Sequence, residues 1–102
     1  MRTFTFMQEI DGIDEYTVII EHITAFKYVW NFHSFTIYLT DNSVCNLICE
    51  HPDSIEDKKL YEQSLLSVDK AFINFKQFLN SDNKHGFFEV HKNVFITIQK
   101  DE

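Results

Sequence analysis

A chain of 102 residues that is 44% hydrophobic and 25% charged is too short for several domains and too apolar to stay disordered. Sixteen acidic residues against nine basic ones leave a formal charge of −7, which disfavours nucleic acid and anionic membrane, since both need clustered Lys and Arg to neutralise phosphate. Two cysteines cannot make a disulfide scaffold, and no apolar run approaches the roughly 18 residues of a membrane span, so a cytoplasmic protein with free thiols is expected.

The N-terminal "TFTFMQEI" puts Phe4 and Phe6 on one face of a strand, and Asp11-Gly12 then offers a tight turn into "YTVII". From Tyr16 to Trp30 apolar residues occupy both parities, which predicts a break or bulge near Glu21-His22. A further turn at Asn31 leads into "FTIYLT", where Phe35, Ile37 and Leu39 share a face, and Asp41-Asn42 turns the chain into "SVCNLICE". With two glycines and one proline in the chain, Asp and Asn must make most of these turns. An antiparallel meander is the expected outcome.

The period then changes. Tyr61, Leu65, Val68, Phe72, Phe75 and Leu79 recur at steps of four and three, the mark of an amphipathic helix, while Glu62, Asp69 and Lys76 lie opposite. Pro52-Asp53-Ser54, followed by Glu56 and Asp57, supplies a cap and first-turn carboxylates that the helix dipole favours. The predicted helix covers about 54–80, and its length suggests a break near Lys58-Lys59 or a projecting end. Beyond "NSDNKHG", the segment "FFEVHKNVFITI" places Phe88, Val90, Val94, Ile96 and Ile98 on one parity, as a single strand or a hairpin about Lys92-Asn93. The whole is read as one α+β domain over 1–102: an antiparallel sheet of about five or six strands with the long helix packed on it.

Candidate chemistry is sparse. Cys45, Cys49 and His51 share a parity, but Cys45 and Cys49 would stand roughly 13 Å apart at 3.3 Å per residue, far beyond the reach of one zinc ion. Cys49 with His51 remains a weak metal pair. No Gly-x-Ser-x-Gly elbow, phosphate-binding loop or His-Glu-x-x-His occurs, so neither a catalytic residue nor a cofactor is expected. Eleven phenylalanines imply either a Phe-rich core or a Phe-lined surface that meets a partner. On the second view Tyr61, Leu65, Phe72, Phe75 and Phe78 are the helix-face residues that would contact another protein or a second copy in a homodimer.

The order of strands, acid-capped helix and "FFEVHKNVFITI" is similar to that of the DNA-binding domains of LytTR-type response regulators, with Phe88, Val90, His91, Lys92 and Phe95 carrying the resemblance. It implies His91, Lys92 and Asn93 as nucleic-acid contacts. A single Lys there, in a chain of −7, describes a copy that has lost DNA binding. The leading expectation is a small, non-catalytic, acidic protein-interaction or assembly module, with the degenerate nucleic-acid domain as the alternative.

Overall fold

In a computed structural model of the protein, residues 1–9, 12–49 and 57–100 are described. Their elements run β1 (Thr3–Glu9), β2 (Ile13–Ile19), a 3-10 turn (Ile20–His22), β3 (Ile23–Val29), β4 (Ser34–Leu39), β5 (Ser43–Cys49), α1 (Lys58–Leu79), β6 (His85–Glu89) and β7 (Val94–Lys100). The class is α+β, with antiparallel pairing dominant and one long helix packed on the strands.

The expected single sheet is divided into two. β2-β1-β6 form three strands, and β3-β4-β5-β7 form four. The division falls at the apolar stretch between Tyr16 and Trp30, where the 3-10 turn carries the chain from one sheet to the other. Arg2 holds this turn from outside: its carbonyl accepts the Ile20 N–H at 2.9 Å, and its own N–H donates to the Glu21 carboxylate at 2.8 Å. That hydrogen bond holds the Glu21 carboxyl below its ordinary pKa.

The turns follow the chemistry of their residues. Asn42 adopts φ 67°, a left-handed geometry that asparagine tolerates, and Asp41 accepts from both the amide and the hydroxyl of Ser43. Gly12, at φ 146°, sits where a residue with a side chain would be strained; Asp11 beside it lies outside the described residues. The turn at Asn31 is a four-residue connection between Val29 and Ser34, closed by His33 at φ 48°.

Helix α1 begins at Lys58, capped by the Asp57 carboxylate, which accepts the Lys59 N–H at 2.9 Å. Pro52, Asp53, Ser54 and Glu56, the expected cap region, lie outside the described residues. The buried stripe is Ser64, Val68, Ala71, Phe75 and Phe78, rotated from the expected one so that Tyr61, Leu65, Phe72 and Leu79 flank it half-buried. At the far end Arg2 closes the helix. Its guanidinium donates to the carbonyls of Phe78, Ser81 and Asn83 at 2.7–3.0 Å and lies 4.6 Å from the centre of the Phe78 ring.

Aromatic rings fill the space between the layers. Phe75 meets Phe4 of the first sheet edge-on at 5.4 Å and Phe26 and Phe35 of the second at 5.3 and 5.4 Å. Phe4, Phe6, Phe35, Phe75 and Phe78 are buried, Phe26, Phe72 and Phe88 are half-buried, and Phe32, Phe87 and Phe95 are exposed. The phenylalanine excess therefore supplies both a core and a surface.

The C-terminal segment is neither one strand nor a hairpin. β6 pairs with β1 in parallel, whereas β7 joins β5 in the other sheet, so Val90–Asn93 form a corner between sheets. Val90 extends the parallel ladder by donating to Met7 O at 2.7 Å. The buried Gln8 side chain then donates to the carbonyls of His91 and Val94 at 2.9 and 2.6 Å, tying both sides of the corner to β1.

Gly86 lies opposite Phe4 in the parallel pair, and a Cβ there would stand 2.7 Å from Phe78 and 2.9 Å from Phe4. Gly86→Ala should accordingly cost about 1–3 kcal/mol by overpacking, read as a fall in the urea midpoint. Phe75→Ala should cost about 3–5 kcal/mol, whereas Phe32→Ala, at an exposed turn, should stay within about 0.5 kcal/mol.

Candidate functional site

The residues singled out from the sequence are scattered. Cys49 ends β5 half-buried, and His51 lies outside the described residues, so their pairing has no geometry to report. Cys45 is fully buried, and burial pushes its thiol up to about 11, which leaves it uncharged and unreactive at neutral pH. Among the described residues no group of three or more His, Cys, Asp or Glu could hold a metal ion.

The helix candidates divide by exposure. Phe75 and Phe78 point between helix and sheets and have almost no surface to offer a partner. Phe72 is half-buried, stacked on Tyr28 at 4.5 Å and edge-on to the exposed Trp30 at 5.9 Å. Tyr61 and Leu65 keep a partial exposure, while the apolar residues facing outward on α1 are Leu66 and Ile73. The turn that carries Trp30 and Phe32 is fastened to the helix where His33 Nδ1 lies 2.9 Å from the Asp69 carboxylate, whose pKa burial raises.

His91, Lys92 and Asn93 occupy the corner between β6 and β7, and His91 is built into it. Its backbone N–H donates to Ser67 Oγ at 2.9 Å, and its Nδ1 accepts the Asn93 N–H at 3.1 Å. Accepting at Nδ1 fixes the neutral form with the proton on Nε2. Ser64 Oγ stands 3.2 Å from the same Nδ1, a spacing that resembles a nucleophile and its base. Ser64 itself has no exposed surface, and its hydroxyl donates to Leu60 O at 2.7 Å. Burial, with a smaller contribution from the Lys92 charge, lowers the His91 pKa.

Beside this corner lies an open cleft of about 880 Å³, bounded by Leu66 and Lys70 of α1, by Phe88, Glu89 and Lys92, and by Glu9 at the end of β1. Its charged walls are balanced, with Glu9 and Glu89 against Lys70 and Lys92.

Gln8, Ser64 and Ser67, the residues that hold the corner, escaped the reading of the sequence. A trace of them was there. Gln8 continues the parity of Phe4 and Phe6, and Ser64 stands four residues before Val68, so both occupy inward positions where a polar side chain needs a partner.

The surface that is open and apolar lies elsewhere, along β5 and β7. Ile48 and Phe95 are directly opposite one another across this pair, 42% and 53% exposed, and Ile98 is 55% exposed on the other face of β7. β7 is an edge strand, with β5 as its partner on one side alone among the described residues. No helix among the described residues is long and apolar enough to cross a membrane.

Because the folded chain binds a proton at His91 less readily than the unfolded chain, with its ordinary histidine pKa of about 6.5, this group favours the folded state above that pH. Its contribution is lost as the pH falls through the lowered folded value. Urea unfolding at pH 7.5 and pH 5.5 should therefore show a smaller acid-induced loss for His91→Gln than for the parent chain. Gln8→Leu should cost about 1–3 kcal/mol at either pH, since the buried Val94 carbonyl and the part-buried His91 carbonyl lose their donor.

No protein-family model matches the chain, and no match is found among curated proteins or among solved structures.

Proposed function

We propose that this chain is a small, non-catalytic, acidic protein-interaction and assembly module that works in the cytoplasm as part of a homo-oligomer. The observation that carries the reading is the pair Ile48 and Phe95, exposed opposite one another across β5 and β7 on one face of the four-stranded sheet, with Ile98 exposed on the other face of β7. Large apolar side chains left exposed next to one another on a sheet are costly to leave in water and are commonly covered by a partner.

The arrangement of polar groups supports the same view. In the closest approach to a catalytic pair, Ser64 with His91, the serine is fully buried with its hydroxyl donating to Leu60 O, and the half-buried histidine is built into the corner. A charge of −7 keeps most of the surface repulsive towards nucleic acid, so the interaction is with protein.

Sedimentation equilibrium from low to high micromolar concentration tests the proposal. A mass above that of the 12.2 kDa chain, rising with concentration, is the expected result. A monomer throughout that range would overturn it.

A further inference from the structure

The cleft beside the corner has walls of different chemistry. Leu66, Ser67 and Lys70 lie within one turn of α1 and on one side of it, and they form the helical wall. Glu9 and Glu89, the last residues of β1 and β6, belong to a second wall. These strands run parallel with Met7 beside Glu89, so the two glutamates are one diagonal step apart and, by parity, share a face. Two carboxylates so placed favour a cation between them. His91 and Lys92 of the corner complete the boundary, and Phe88 joins Leu66 in giving the cleft apolar surface.

The polar groups along these walls are not spent on one another. Glu9, Glu89, Lys70 and Lys92 are all exposed and take part in no ion pair among the described residues, where His33 with Asp69 is the one such contact. Ser67 Oγ accepts the His91 N–H, and its own hydrogen has no acceptor among the described residues. His91 accepts the Asn93 N–H at Nδ1 and so carries its proton on Nε2, which likewise meets no acceptor there. Both donors are fixed in position by the corner and are left free to bind.

We propose that the cleft binds a short peptide with free ends, its terminal ammonium held by Glu9 and Glu89 and its terminal carboxylate by Lys70, Lys92, the Ser67 hydroxyl and His91 Nε2–H. Charge selects this occupant. The paired glutamates repel a phosphate and the two lysines repel a simple amine, so a ligand bearing both charges is the one that finds complementary groups on every wall. A free amino acid holds its two charges on one carbon, whereas a peptide of two or three residues, at most roughly 11 Å long when extended, can reach separate walls of a cleft of about 880 Å³. Leu66 and Phe88 suit apolar side chains between the two ends. This goes beyond the assembly reading and does not rest on it, since none of Ile48, Phe95 and Ile98 lines the cleft.

Calorimetric titration of the full chain with leucyl-phenylalanine tests the proposal. Saturable binding is expected, weakened at least tenfold by N-acetylation, by C-amidation, or by replacing the dipeptide with free leucine. Glu89→Gln and Lys70→Gln alter exposed side chains, so the fold is kept, and they separate the two ends. Both should weaken binding of the free dipeptide, but Glu89→Gln should leave the N-acetylated form unchanged and Lys70→Gln the amidated form. Absence of saturable binding by leucyl-phenylalanine and by leucyl-glycyl-phenylalanine would overturn the proposal, and so would blocked peptides or inorganic phosphate binding as tightly as the free dipeptide. None of these results bears on the oligomer mass by which the assembly reading is judged.

Discussion

The fold depends on a single ring set between three layers. Phe75 projects from the buried stripe of α1 and touches Phe4 on one sheet and Phe26 and Phe35 on the other, each in a tilted or edge-on arrangement. Edge-to-face geometry suits the quadrupole of the ring, and a rigid aromatic loses little side-chain entropy on burial for the area it covers. Phe75 reinforces a direct contact between the sheets, where Phe6 of the first meets Phe35 of the second at 6.3 Å. Val68 and Ala71 let the helix approach closely enough for Phe75 to reach both. Gly86 does the same for the parallel strand, where Phe4 and Phe78 occupy the space a side chain would need.

Polar side chains do the work that the few glycines and prolines cannot. Arg2 satisfies carbonyls at the end of the helix and just beyond it, and its backbone is joined to the turn between sheets, so one residue near the start of the chain braces two distant boundaries. Gln8 does the equivalent at the opposite end of β1 by holding the corner from His91 to Val94. β1 is therefore central in two senses: it lies between β2 and β6 in its sheet, and each end carries a clamp for a connection made by other parts of the chain.

How much of this could be read from the sequence depends on the range of the interaction. Features set by neighbouring residues were legible: the shared face of Phe4 and Phe6, the break near Glu21-His22, the turn at Asp41-Asn42, and a helix ending before Ser81. The helix stripe was found but misplaced by a fraction of a turn, because its buried line contains Ser64 and Ala71, which an apolar count passes over. The corner at Val90–Asn93 was hidden for a subtler reason. Phe88, Val90, Val94 and Ile96 keep one parity through it, so the alternating pattern continues while the chain changes sheets. The bonds that make the change, from Gln8 and Ser67, join residues 24 to 86 positions apart and leave no local mark. The candidate surface was the least legible: Ile48 and Phe95 lie on the sheet face opposite the buried Leu47 and Val94, and Ile98, inward by parity, is exposed because β7 is an edge strand, a property of strand order rather than of composition.

The parallel pairing of β1 with β6 also bears on how the molecule is made. Thr3 must find His85, and Phe6 must find Phe88, across nearly the whole length of the chain. Local hairpins and the helix can form early, but the hairpin of β1 and β2 has to wait for its third strand until α1 has been built and has swung β6 back into place. Closing so long a loop is the slow step in chains rich in distant contacts. Folding should thus finish with the docking of β6, and β1 keeps an unpaired edge until it does, which makes the interval before that event the period in which this chain is most exposed to aggregation.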